Sequence, residues 1–173
     1  MSKSSRHTER LGQCLGQAAQ GGDVLALFGD LGTGKTTLVR GLAQGLQTEP
    51  AKVSSPTFTL IQEYPGRLRL VHTDLYRLTA GDLQETGLSD YLDDRSVLAI
   101  EWPERWATEL PADRLDLRLL HRTADSRQAV LVATGPASAR LLARVRARLA
   151  RRRPSGGSKQ TRVQSRRSRR ASQ

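Results

Sequence analysis

The chain has one cysteine, Cys14, so no internal disulfide can form. No apolar run approaches the ~20 residues that a membrane-spanning helix requires. The N-terminal stretch is polar and lacks the apolar centre of a signal peptide. These absences point to a cytoplasmic protein. Acid is missing altogether from residues 151–173, which carry nine Lys/Arg. Residues 1–150 hold 19 basic and 17 acidic side chains, a net of +2 against +11 for all 173 residues. The high pI therefore belongs mostly to the tail. The expected organisation is a domain over 1–150 and a basic, disordered tail over 151–173, since the tail has too little apolar surface to offset its ordering entropy. Charge alone also allows that tail to contact a polyanion such as RNA.

The most informative stretch is Gly29-Asp30-Leu31-Gly32-Thr33-Gly34-Lys35-Thr36. It has the G-x-x-x-x-G-K-T pattern of a phosphate-binding loop. Gly29, Gly32 and Gly34 let the backbone curl so that successive N–H groups aim at one anion. Lys35 supplies a charge for the β- and γ-phosphates, and Thr36 a hydroxyl for Mg²⁺. The flanks agree with the motif. Residues 23–28 are a short apolar run, as in a strand covered on both faces. Leu38, Leu42 and Leu46 then recur four apart, as in a helix.

The rest of the chain predicts an α/β sandwich with a mixed parallel and antiparallel sheet. Thr8 is placed to cap a first helix, with Leu11, Cys14, Leu15 and Ala18 on one face. On that face Cys14 is a small core residue. Residues 58–64 and 68–74 flank Pro65-Gly66 and read as an antiparallel hairpin. Residues 82–88 and 89–92 read as short helical pieces broken at Gly87. Residues 96–101 form a buried strand ending on an acid. Residues 114–122 and 128–133 form a second hairpin. Pro136 opens a last helix with Leu141, Leu142, Val145 and Leu149 inward and Arg140, Arg144 and Arg148 as a basic stripe.

Phosphoryl transfer requires an acid near Mg²⁺. Glu101 and Asp74 each close an apolar strand, and ligands in such sheets bind at the carboxyl ends of strands. Pattern ranks Glu101 first and Asp74 second. Thr57 lies in a Ser-Pro-Thr segment placed like a γ-phosphate switch. His72, two residues before Asp74, is expected to pack or hydrogen-bond rather than catalyse. Trp102, beside Glu101, could stack on a base, face a partner or sit at the core's rim.

Four segments together resemble one family. They are G-D-L-G-T-G-K-T-T at Gly29–Thr37, S-P-T-F-T-L at Ser55–Leu60, H-T-D-L-Y-R-L at His72–Leu78 and I-E-W-P-E at Ile100–Glu104. The resemblance is to TsaE, also called YjeE, the small bacterial ATPase of tRNA threonylcarbamoyladenosine synthesis. It covers about residues 7–150. It implies ATP and Mg²⁺ as ligands, and work alongside TsaD and TsaB, which modify A37 of tRNA. It further implies weak ATP turnover alone, raised by that complex. Carried over by position, Gly29, Gly32, Thr33, Gly34, Lys35, Thr36 and Thr37 contact nucleotide, Thr57 and Trp102 border it, and Thr36, Glu101 and Asp74 serve the metal. The tail is longer and more basic than the resemblance implies. Two other classes fit the loop alone, a small-molecule kinase and a nucleotide-switched RNA-binding module. No lid rich in arginines supports the first.

Overall fold

The computed structural model describes residues 5–56, 60–78, 87–106, 109–123 and 126–151. Thr57, the 82–86 part of the expected helical pieces and residues 152–173 of the tail lie outside the described residues. Among those described, no helix is long and apolar enough to cross a membrane.

Helix α1 (Ser5–Ala18) leads into β1 (Val24–Phe28), and α2 (Lys35–Gly45) follows the glycine-rich loop. Next come β2 (Ile61–Tyr64), β3 (Arg69–Asp74), β4 (Ser96–Glu101), β5 (Leu115–His121), β6 (Arg127–Ala133) and α3 (Pro136–Arg151). Single 3₁₀ turns occupy Pro50–Lys52, Leu88–Tyr91 and Pro103–Trp106. The six strands form one sheet in the order β2-β3-β4-β1-β5-β6. The four inner strands are parallel to one another, and each edge strand is antiparallel to the strand beside it. Both expected hairpins are therefore present, one at each edge.

Strand side chains alternate between the faces of a sheet, and the core divides accordingly. Leu25, Leu27, Leu70, Val97, Ala99, Leu115, Leu117 and Leu119 face the layer built from the three helices. Val24, Val71, Leu98 and Ile100 face the other way, under Leu75, Leu78, Leu88 and Trp106. Thus β1 and β4 are covered on both faces, as their unbroken apolar runs require.

Helices α1 and α2 approach closely through glycines. A Cβ on Gly12 would lie 2.1 Å from the Leu38 carbonyl oxygen, and one on Gly41 2.0 Å from that of Glu9. Cys14 is fully buried in this layer, as expected.

Two sequence expectations need correction. The first helix starts at Ser5, before Thr8; Thr8 lies within it, buried on the side that meets Gly34. Leu149 is 41% exposed, whereas Leu141 and Val145 are buried. The apolar stripe of α3 is therefore buried along its middle and open to solvent in its last turn.

Candidate functional site

The loop leaves β1 and opens α2 at the carboxyl end of the parallel strands. Gly34 is the N-cap of α2, with φ of 100°, and no side chain caps the helix. The first-turn N–H groups are therefore left for an outside acceptor, at the positive end of the helix dipole. Gly29 has φ of 137°, and a Cβ there would lie 2.4 Å from the Leu119 carbonyl oxygen. Both positions need glycine, for conformation at Gly34 and for conformation and space at Gly29.

Lys35 is 5% exposed. Its Nζ donates to the carbonyl oxygens of Gly29, at 2.6 Å, and Asp30, at 3.1 Å. The Trp102 ring lies over the same ammonium, 4.0 Å from Nζ to centroid. Burial pushes the Lys35 pKa below that of a free lysine, opposed chiefly by Glu101 and then Asp74. A polyphosphate arriving here would restore the charge balance of an ammonium held largely out of water. Thr33 is turned away from the cavity; its hydroxyl donates to the Asp30 carbonyl at 2.8 Å and shapes the loop.

The strand-end acids meet because β3 and β4 are parallel neighbours with Asp74 opposite Glu101. Glu101 is 3% exposed, and its Oε1 accepts from Thr36 Oγ1 at 2.9 Å. A hydroxyl that donates to a carboxylate keeps its lone pairs for a cation. The same Oε1 lies 3.0 Å from Nε2 of His72, a fully buried side chain whose Nδ1 has no partner among the described residues. Asp74 accepts from Ser55 Oγ at 2.5 Å and from the Tyr76 N–H at 3.0 Å.

A cavity of about 530 Å³ gathers these groups. Gly32, Gly34, Lys35, Thr36, Thr37, Asp74, Glu101 and Trp102 line it, and the loop's Gly29 and Thr33 do not. The structure adds Leu31, Ser55, Tyr76 and Arg77 to this lining. Pattern assigns no role to these four, although Tyr76 and Arg77 belong to the Asp74-Leu75-Tyr76-Arg77 segment that carries one of the strand-end acids. Trp102 has φ of 58°, in the left-handed region. Such a conformation costs a non-glycine residue about 1–3 kcal/mol. It aims the indole at Lys35 and at the Tyr76 ring, 4.8 Å away between centroids.

Among the described residues no group of three or more His, Cys, Asp or Glu is arranged to hold a metal. The donors present, one hydroxyl and two carboxylates beside an anion-binding loop, fit Mg²⁺. That ion is held by one or two protein oxygens together with phosphates and waters, not by an all-protein cage.

A family model described as "Threonylcarbamoyl adenosine biosynthesis protein TsaE" matches residues 2–129. A Nostoc protein named tRNA threonylcarbamoyladenosine biosynthesis protein TsaE is 44% identical over 128 residues, 70% of this chain and 77% of its own. The TsaE proteins of Treponema pallidum and Bacillus subtilis are 40% and 38% identical, over 77% and 74% of this chain and 98% and 80% of theirs. The crystal structure of Bacillus subtilis YdiB superposes with a TM-score of 0.71 at 32% identity, covering 84% of this chain and 90% of that one. With about three quarters of its length matched by the family model and by relatives well above 30% identity, the chain belongs to the TsaE family of tRNA threonylcarbamoyladenosine biosynthesis proteins.

Proposed function

We propose that this protein binds ATP with Mg²⁺ in the cavity at the loop, hydrolyses it to ADP and phosphate, and does so as a component acting with TsaD and TsaB on tRNA A37. The observation that carries this reading is the 2.9 Å contact between Thr36 and Glu101 beside the buried Lys35. It joins a hydroxyl, an acid and an ammonium at the mouth of an uncapped helix. Loop N–H groups hold the phosphates, and Lys35 leaves its two carbonyl partners to meet the β- and γ-phosphates. Thr36, Glu101 and Asp74 are the residues that would hold Mg²⁺, which supplies charge neutralisation for the transferred phosphoryl group. His72 braces Glu101, and Asp74 ties Ser55, two residues before Thr57, to the site. Thr57 serves as the γ-phosphate-sensing residue of that segment. Trp102 covers the loop until nucleotide enters, then borders it.

The working unit is residues 1–150, in the cytoplasm, with 151–173 as a basic appendage. Turnover is slow alone and rises with the partner complex. The test is Mg²⁺-dependent ATP turnover by the protein alone and then with TsaB and TsaD. Turnover that is slow alone, rises with the partners and disappears in Lys35→Ala supports the reading. Fast turnover that ignores the partners removes their share of it, and turnover that survives Lys35→Ala removes the site.

A further inference from the structure

A second cavity of about 530 Å³ lies between the end of α1, the β2–β3 turn and the last turns of α3. Four arginines line it, Arg67, Arg144, Arg148 and Arg151, and no acid does. Two of them are fixed. The Arg67 guanidinium donates to the carbonyls of Gly16 and Ala19, each at 2.9 Å. Arg144 Nε donates to the Ala18 carbonyl at 2.7 Å, and its NH2 lies 3.1 Å from Asp23 Oδ2. Carbonyl oxygens orient a guanidinium without cancelling its charge. Asp23 is the one carboxylate that pairs with any of the four among the described residues, and burial pushes its own pKa up. Arg148 and Arg151 are exposed on the same side of α3. Arg144 and Arg148, four residues apart, stand about 6 Å apart along the helix axis, and Arg148 and Arg151, three apart, about 4.5 Å, a row of charges on the scale of neighbouring phosphates in one nucleic-acid strand.

Charge is segregated along the chain as well. Residues 126–173 contain no Asp or Glu and hold 14 of the 28 Lys/Arg. The basic continuation of the sequence starts at Arg151, on the rim of this cavity. Capping of α1 explains where Arg67 and Arg144 point. It does not explain why Arg148 and Arg151 join them around an acid-free hollow in a domain of net charge near +2. The hollow is also far from the glycine-rich loop. Asp23 precedes β1 and the loop follows it, so the two cavities lie at opposite ends of a five-residue strand, about 16 Å apart.

From this placement we infer that the Arg67–Arg144–Arg148–Arg151 groove binds the phosphate backbone of RNA, separately from the ATP site. The choice of RNA over another polyanion rests on the family's role in tRNA modification; the groove itself does not depend on ATP hydrolysis. Gln20 on its wall adds an amide within reach of riboses or base edges.

The test uses the full chain and a fluorescein-labelled, unmodified tRNA transcript, with anisotropy titrations across a salt series. Each phosphate contact contributes about −0.7 to −0.9 to the slope of log K against log salt. Arg148→Gln with Arg151→Gln should therefore make the slope shallower by about 1.5 and weaken binding about tenfold near physiological salt. ATP binding and melting temperature should stay unchanged, since neither residue touches the loop or the core. Neutralising Arg166, Arg167, Arg169 and Arg170 in the otherwise full chain separates the tail from the groove. An unchanged slope in the Arg148/Arg151 variant, with the loss confined to the tail variant, overturns the inference. Displacement of the tRNA by poly-glutamate as effective as by unlabelled tRNA overturns the assignment to RNA. Because binding is read without ATP, failure of the ATPase reading leaves this result intact.

Discussion

Replacing Gly12 with alanine sets two physical effects against each other. Helix propensity favours alanine over glycine by about 1 kcal/mol in a helix interior. Gly12 lies in the middle of α1, so local reasoning predicts a more stable protein. The structure predicts the opposite. A Cβ there would lie 2.1 Å from the Leu38 carbonyl oxygen, 2.9 Å from the Leu42 nitrogen and 3.0 Å from the Leu38 carbonyl carbon. All three are backbone atoms of α2, so no side chain can rotate away. Restoring a C···O distance of about 3.3 Å moves the helices apart by about 1.2 Å. That loosens Leu15, Leu38, Leu42 and Leu46, all fully buried in the same layer. Overpacking typically costs about 1–3 kcal/mol, and a clash with rigid backbone belongs at the upper end. Less the propensity gain, the net loss is about 2 kcal/mol. For a chain of this size that lowers Tm by about 4–8 °C. Thermal unfolding followed by circular dichroism reads it directly, with a urea titration to check that m is unchanged. A Tm equal to or above that of the parent protein would refute the close helix contact.

The other predictions concern the site and one helix cap. Lys35→Ala should cut ATP turnover by about 10²-fold or more, the scale for losing one charged group aimed at the transferred phosphoryl, while circular dichroism shows the fold kept. Glu101→Gln should raise the Mg²⁺ concentration needed for half-maximal turnover more than Asp74→Asn does, because Glu101 accepts the Thr36 hydroxyl directly; the reverse order moves the main metal contact to Asp74. Thr36→Ala should weaken nucleotide binding in Mg²⁺ but not in EDTA, and equal losses in both would remove its role as a ligand. Asp113 accepts the N–H groups of Ser138 and Ala137 at the start of α3, and those bonds hold its pKa below the ordinary 3.8. A depressed carboxylate pKa stabilises the folded state above the unfolded value and loses that effect as pH falls through the folded one. Asp113→Ala should therefore lower Tm at pH 7, with a gap that narrows in acid; a gap constant with pH would mean the charge plays no part.

Much of this arrangement was legible in the sequence because it is written in local pattern. The loop, its preceding strand and its following helix show at fixed spacing, and both hairpins show as alternating runs around turn residues. What stayed hidden depends on which strands become neighbours. Nothing local to Asp74 or Glu101 places them in register; the β3–β4 pairing does. The same pairing brings His72 onto Glu101, where the sequence offered only a histidine in an apolar strand. Trp102 is adjacent to Glu101 in sequence, yet its contact with Lys35 follows from a left-handed backbone that a tryptophan rarely adopts. Gly12 and Gly41 read locally as weak helix residues, although each marks where one helix backbone meets the other. For Leu149, amphipathic spacing continues into a last turn whose leucine is left largely exposed.

We propose that ATP hydrolysis at this loop supports modification of tRNA A37. This is tested most directly by multiple-turnover threonylcarbamoyladenosine formation on unmodified tRNA, with TsaB, TsaD and a threonylcarbamoyl donor present and this protein added, omitted, or replaced by Lys35→Ala. The account predicts that the modified nucleoside, measured by mass spectrometry, accumulates over many cycles only with the unaltered chain and ATP. Equal accumulation with Lys35→Ala would contradict it.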